Sequence, residues 1–291
     1  MPFTYEQKEI QGEAAAQVTG YEGEVSRLRI PEQIDGLRVL GIGSNAFSWR
    51  EDIKEAILPE HLRVLGGFAF YNSKNLQSIT LYDGVEDYHD GVIRHCKNLS
   101  EIRVNMTREN YVLVKALLGD NDRMLRLVLD TKKETICLTF PEYFSDYIED
   151  TRARAFHTKI EGAGYRYREC VTGKGILYQE YDEVFIRASS YDGPSAARIA
   201  LDRLMFPHEL SAYAKNRYEE YLRMEMESIL PELIDNRQED VITFLARRDL
   251  IGEKALEKGI FLASKQNAVS ISARLMEAQQ KVRKPAGRFV L

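Results

Sequence analysis

Cysteine is scarce. Cys96, Cys137 and Cys170 are odd in number and far apart, which excludes a disulfide framework. Free thiols fit a reducing, cytoplasmic setting, with Cys96 expected to be a small buried filler. The opening residues Met1 to Glu6 carry neither a basic start nor an apolar run, so no secretory signal is read there. No stretch approaches the ~20 apolar residues of a membrane span, so no membrane is expected as a partner. A surplus of positive charge is also missing. The net charge of −5 argues against a dedicated nucleic-acid binder, and the acidic excess falls in the first 104 residues.

Catalytic and metal signatures are absent as well. His61, His89, His95, His157 and His208 form no pair with another histidine or a cysteine at zinc-ligand spacing. No Gly-x-Ser-x-Gly elbow occurs. Gly162-Ala163-Gly164 and Gly173-Lys174-Gly175 lack the spacing of a dinucleotide fingerprint or a P-loop, and both read as turns. Triads are assembled in space, so a pocket around His157 and Tyr165 stays open as an enzyme alternative. The expectation is no catalytic residue, no metal and no cofactor.

What is present is a repeat. From Leu28 to Val104 the chain falls into rows of about 23 residues with apolar residues in fixed columns. Phe47 stands over Phe70 and Ile93, Ile53 over Leu76 and Leu99, Ala56 over Ile79 and Ile102. Leu58 stands over Leu81 and Val104, and Val39 over Leu62 and Val85. Such columns mark a solenoid whose neighbouring coils share one core. Each row also holds a short alternating segment: Leu28-Arg29-Ile30, Ala56-Ile57-Leu58, Ile79-Thr80-Leu81 and Ile102-Arg103-Val104. Period 2 turns their outer residues inward and the middle one outward, predicting a parallel ladder with strands ~4.8 Å apart. Gly43 and Gly66 suit tight bends between faces, and residues 3–24 read as strands covering the first coil.

Ile30-Pro31 to Gly36, then Val39, Ile42-Gly43 and Ala46-Phe47, resembles the BspA-type leucine-rich repeat family. Leu58-Pro59, Leu65-Gly66 and Ala69-Phe70 follow the same pattern, as does the opening that ends in Thr19-Gly20-Tyr21. The resemblance covers residues 3–104 and implies a curved solenoid used for protein or surface recognition, without catalytic residues. The third row departs from the pattern at Tyr88, His89 and Val92-Ile93, which marks it as the exit coil. The outward ladder columns, Arg29, Ile57, Thr80 and Arg103 beside Glu55, Ser78 and Glu101, with Tyr82 at a strand end, form the expected protein-binding surface.

After the repeats, Thr107 to Asn110 predict a helix start that runs to Leu118 and stops at Gly119. Leu125–Leu129 and Thr135–Phe140 read as a hairpin, and the acidic, aromatic stretch from Pro141 to Asp150 as helix. Between 152 and 191 basic and aromatic residues interleave. Arg152, Arg154, Arg166 and Arg168, with the basic tail 281–291, make polyanion binding the alternative function. The competing reading is arginine–carboxylate pairing around a tyrosine-capped core. From Pro194 the pattern is helical, with a long helix over Glu209–Leu230 and a new segment opened by Pro231. Residues 230–278 weakly resemble ankyrin-like helical repeats, which again implies protein binding. The whole reads as α+β: a solenoid (1–104), a mixed α/β connector (105–193), a helical repeat-like domain (194–280) and the tail.

Overall fold

The computed structural model describes residues 2–150, 155–188 and 193–283. It divides into two compact units, Met1–Ala188 and Ser189–Leu291. The first opens with β1 (Phe3–Ile10), β2 (Glu13–Tyr21), β3 (Arg27–Arg29), β4 (Gln33–Ile34), β5 (Leu37–Ile42), β6 (Glu55–Ile57) and β7 (Val64–Leu65). It continues through β8 (Ser78–Tyr82), β9 (Asp87–Tyr88), β10 (Glu101–Asn105), helix α1 (Tyr111–Gly119), β11 (Leu125–Asp130) and β12 (Thr135–Phe140). Then come β13 (Phe144–Asp150), β14 (Ala155–Glu161), α2 (Gly164–Glu169), β15 (Val171–Thr172), β16 (Gly175–Ile176) and α3 (Tyr178–Ala188).

Two parallel ladders make the solenoid. One runs β3, β6, β8, β10, β11 and is closed by the antiparallel β12. The other runs β2, β5, β7, β9, with β1 antiparallel on its outer edge as the expected cover. The inward column Leu28, Ala56, Ile79, Ile102, Leu127 is almost wholly withdrawn from solvent. Phe47 and Phe70 stack with centroids 5.1 Å apart. Cys96 does more than fill space. Ser73 Oγ donates to the Phe47 carbonyl at 2.7 Å, and Cys96 Sγ to the Phe70 carbonyl at 3.0 Å, so one column links successive coils. Gly66 is required for close approach rather than for a bend. A Cβ there would lie 2.5 Å from the Ser44 nitrogen of the preceding coil.

The exit is sealed from outside the repeat. Asn110 caps α1 by accepting from the Leu113 N–H. Buried Asp83 accepts from the backbone N–H groups of Thr107, Arg108 and Asn110 at 2.8, 2.7 and 3.2 Å. Asn121 Nδ2 donates to the carbonyls of Ile93 and Cys96. It thereby takes on Ile93 the role that Ser73 has on Phe47 and Cys96 on Phe70. The acidic stretch after Pro141, expected to be helical, is instead the strand β13 paired antiparallel with β14. Helix propensity is weak beside a complete backbone ladder, and Tyr147 and Ile148 suit a strand.

The second unit contains α4 (Gly193–Met205), α5 (Ala212–Asp235), α6 (Glu239–Arg247), α7 (Glu253–Lys265) and α8 (Val269–Arg283). Pro231 does not open a new helix; it sits inside α5. Proline cannot donate to the carbonyl four residues back. That carbonyl, on Glu227, accepts from Lys258 Nζ of α7 at 3.4 Å. The same turn joins α5 to α6 and α7 to α8. Left-handed Arg237 and Asn267 each precede a residue whose N–H reaches back, Gln238 to Leu233 and Ala268 to Ala263. Arg237 also donates to the Gln266 carbonyl at 2.7 Å, tying the two turns together. This unit is therefore a stack of helix pairs.

Candidate functional site

The predicted ladder residues do come together. Glu55, Ser78 and Glu101 are register partners in one outward column, and Ile57, Thr80 and Arg103 in the next, with Arg29 beside Ile57. Tyr82 lies at the strand end opposite Asn105. Arg29 is exposed and the other seven are half-buried. The face is not uniform along its length. At β11 and β12 the outward positions Val128, Cys137 and Thr139 are at most 1% exposed, while Arg126, opposite Glu101, stays half-buried. The column of Arg29, Ile57, Thr80 and Arg103 is thus open from β3 to β10 and covered beyond it.

Charges on this face are paired, mostly across strands. Arg27 meets Glu55 at 3.0 Å, Arg126 meets Glu101 at 3.1 Å, and Arg103 bridges Asp130 at 2.7 Å and Glu101 at 3.4 Å. Opposite charges directly across a ladder hold each other's rotamers and leave little net field. Ile57 and Thr80 sit between them, so the surface is a pre-set polar rim around a small aliphatic centre. Such an arrangement suits a protein surface better than a strongly charged ligand.

A second cluster escaped the sequence reading. Trp49 is 64% and Phe68 37% exposed, and His95 is exposed beside half-buried Tyr71. The Tyr71 ring meets Trp49 at 5.8 Å, Phe68 at 5.4 Å and His95 at 5.3 Å, all at steep angles. The signal was in the same rows. Trp49, Asn72 and His95 share a column, as do Asn45, Phe68 and Gly91. All six have positive φ, which asparagine and glycine tolerate and bulky side chains do not.

The connector corrects one expectation directly. Arg168, placed on the polyanion surface by its spacing, is buried. Its Nε donates to the Leu118 carbonyl, its Nη1 to Pro141 and Gly164, and its Nη2 to Asn121 and Arg123. The guanidinium lies 4.9 Å from the Tyr143 ring centre, and burial lowers its pKa to about 10. It braces the fold. Arg166 is exposed on α2, whereas Arg152, Arg154, Tyr191 and the tail from Lys284 onward lie outside the described residues. Tyr165 packs its ring edge on Tyr143 at 5.8 Å. Burial pushes the thiols of Cys96 and Cys170 up to about 12, which leaves them poor nucleophiles. Among the described residues, no three histidine, cysteine or carboxylate side chains converge as metal ligands. No helix among them is long and apolar enough to cross a membrane.

Parallel short rungs, 23-residue coils from β6 to β10 and a shared apolar core define a leucine-rich solenoid. Residues 26–112 match the family described as BspA type Leucine rich repeat region, in six copies, and this part of the chain is such a region. Among solved structures, the chain is similar to a leucine-rich repeat protein of T. pallidum at 19% identity, covering 35% of this chain and 68% of that one, with a TM-score of 0.23. No curated protein matches.

Proposed function

We propose that the chain is a non-catalytic scaffold that recognises a protein partner through the open part of the first ladder. The observation that carries this reading is the change along one face. The column of Arg29, Ile57, Thr80 and Arg103 is presented to solvent from β3 to β10 and covered at Val128 and Cys137, and Ile57 and Thr80 lie between paired charges. Membership of residues 26–112 in a repeat family associated with protein interaction supports it. A ladder held by backbone hydrogen bonds is already ordered, so binding there costs little conformational entropy. Three buried free cysteines fit a reducing, cytoplasmic setting for the scaffold. The polyanion alternative has lost Arg168 to the core, and of its four arginines only Arg166 is described and exposed.

The test is affinity capture with the full chain against a variant carrying Arg29→Ala, Thr80→Glu and Arg103→Ala. Loss of a specific protein partner, with unchanged circular dichroism and melting, is the expected result. An unchanged partner set would remove the ladder from the function. Capture dominated by nucleic acid would overturn the reading altogether.

A further inference from the structure

The aromatic cluster on the turn side of the solenoid is built at a conformational cost. Trp49 has φ 62°, Phe68 φ 59° and His95 φ 63°. The left-handed region brings Cβ against the backbone, and bulky residues such as Trp49 and Phe68 are held there at a cost. The neighbouring coils show what an unstrained solution looks like. Asn72 fills the Trp49 column and Asn45 the Phe68 column, with the same backbone geometry. Folding therefore does not require these rings. Gly91 makes room for one of them, since a Cβ there would lie 2.5 Å from the Phe68 ring.

Most cations around the patch are already matched: Arg50 by Asp52 at 2.7 Å, Lys74 by Glu51 at 3.1 Å and Arg94 by Asp90 at 2.7 Å, while exposed Lys97 lies two residues beyond His95. A polyanion would have to break these pairs. Two of the rings also carry hydrogen-bond donors, the Trp49 indole N–H and the Tyr71 hydroxyl. A complementary ligand is uncharged, rich in ring faces or aliphatic surface, and rich in acceptors. A polyproline II segment has those properties, because its prolines lack N–H and its carbonyls make no internal hydrogen bonds. The spacing agrees. Trp49 and His95 occupy one column two coils apart, about 10 Å at the inter-strand spacing. Residues i and i+3 of a polyproline II helix lie about 9 Å apart on one face.

We propose that Trp49, Phe68, Tyr71 and His95 form a docking surface for an uncharged, proline-rich segment of another protein in the polyproline II conformation. Aromatic surfaces bind such segments with little ordering entropy to overcome. The surface is distinct from the ladder columns, so either site stands or falls alone.

The probe is fluorescein-labelled decaproline, titrated with the full chain and read by anisotropy. Saturable binding at micromolar to sub-millimolar concentration is expected, with none to a glycine–serine decamer. Trp49→Asn copies the residue that the next coil already uses. It should weaken decaproline binding at least tenfold while the melting temperature stays equal or rises, which separates loss of the site from loss of the fold. Tyr71→Phe keeps the ring and removes the hydroxyl, and should weaken binding by a smaller factor. The ladder triple variant should bind decaproline like the parent. No saturation by about 1 mM would overturn the proposal, as would binding unchanged by Trp49→Asn. So would a Trp49 emission response to chitohexaose or heparin but not to decaproline.

Discussion

Replacing Arg168 by lysine keeps the charge and removes the planar fork. The guanidinium has five N–H groups, and all five are used on the backbone carbonyls of Leu118, Pro141, Gly164, Asn121 and Arg123. These carbonyls belong to the end of α1, the approach to β11, the end of β12 and the start of α2. An ammonium has three donors on one atom and cannot reach all of them. At least two carbonyls are left orphaned, at about 1–3 kcal/mol each, so the loss should be about 2–6 kcal/mol. Burying the charge itself costs about 3 kcal/mol, from a pKa lowered from 12.5 to about 10. Arg168→Met escapes that cost but orphans all five acceptors, so the hydrogen bonds win and the loss should again be at least ~3 kcal/mol. Urea unfolding followed through Trp49, the single tryptophan, reads the first unit directly. Arg168→Lys within ~0.5 kcal/mol of the parent would refute the brace.

Acid should loosen the first unit in a defined window. The Arg50 guanidinium holds Asp52 down to about 2, while Asp83 is lowered because N–H donors from Thr107, Arg108 and Asn110 outweigh its burial. Folded values below the unfolded ~3.9 give stability that is full above that pH and lost as pH falls toward 2. Asp120, raised by burial, acts in the opposite sense. Urea midpoints between pH 5 and 2 should fall in the parent and fall less in Asp52→Asn. In the second unit, Pro231→Ala restores an N–H for the Glu227 carbonyl and should stabilise by about 1 kcal/mol or more, seen as a higher melting temperature.

The solenoid was legible because a 23-residue period writes the core into columns, and a column survives any single substitution. Ala56, Ile79 and Ile102 could be aligned before any pairing was known. Arg168 was not legible. Its spacing matches exposed Arg166, and only the converging carbonyls of four distant segments distinguish them. The region after Pro141 read as helix from its acidic, aromatic residues, and pairing with β14 made it a strand instead. Pro231 misled for a similar reason, since the lysine that satisfies Glu227 lies on another helix. The aromatic cluster was legible in principle. Trp49 in a column with Asn72, and Phe68 in one with Gly91, are the residues that the columns do not explain.

The seal at the exit has a consequence for how such an array can change length. Asp83 serves the loop at 107–110, Tyr88 donates to Asp120 at 2.5 Å, and the Ile93 and Cys96 carbonyls are met by Asn121. Each of these residues of the third coil is committed to something that is not a coil. Copying the first or second coil would place like against like, with Ser73-type donors again finding Phe47-type carbonyls. Copying the third would leave a buried carboxylate facing a neighbour with no amide nest to offer. Duplication can therefore lengthen this solenoid only upstream of its last coil, and the connector stays attached to the same partner however many coils precede it.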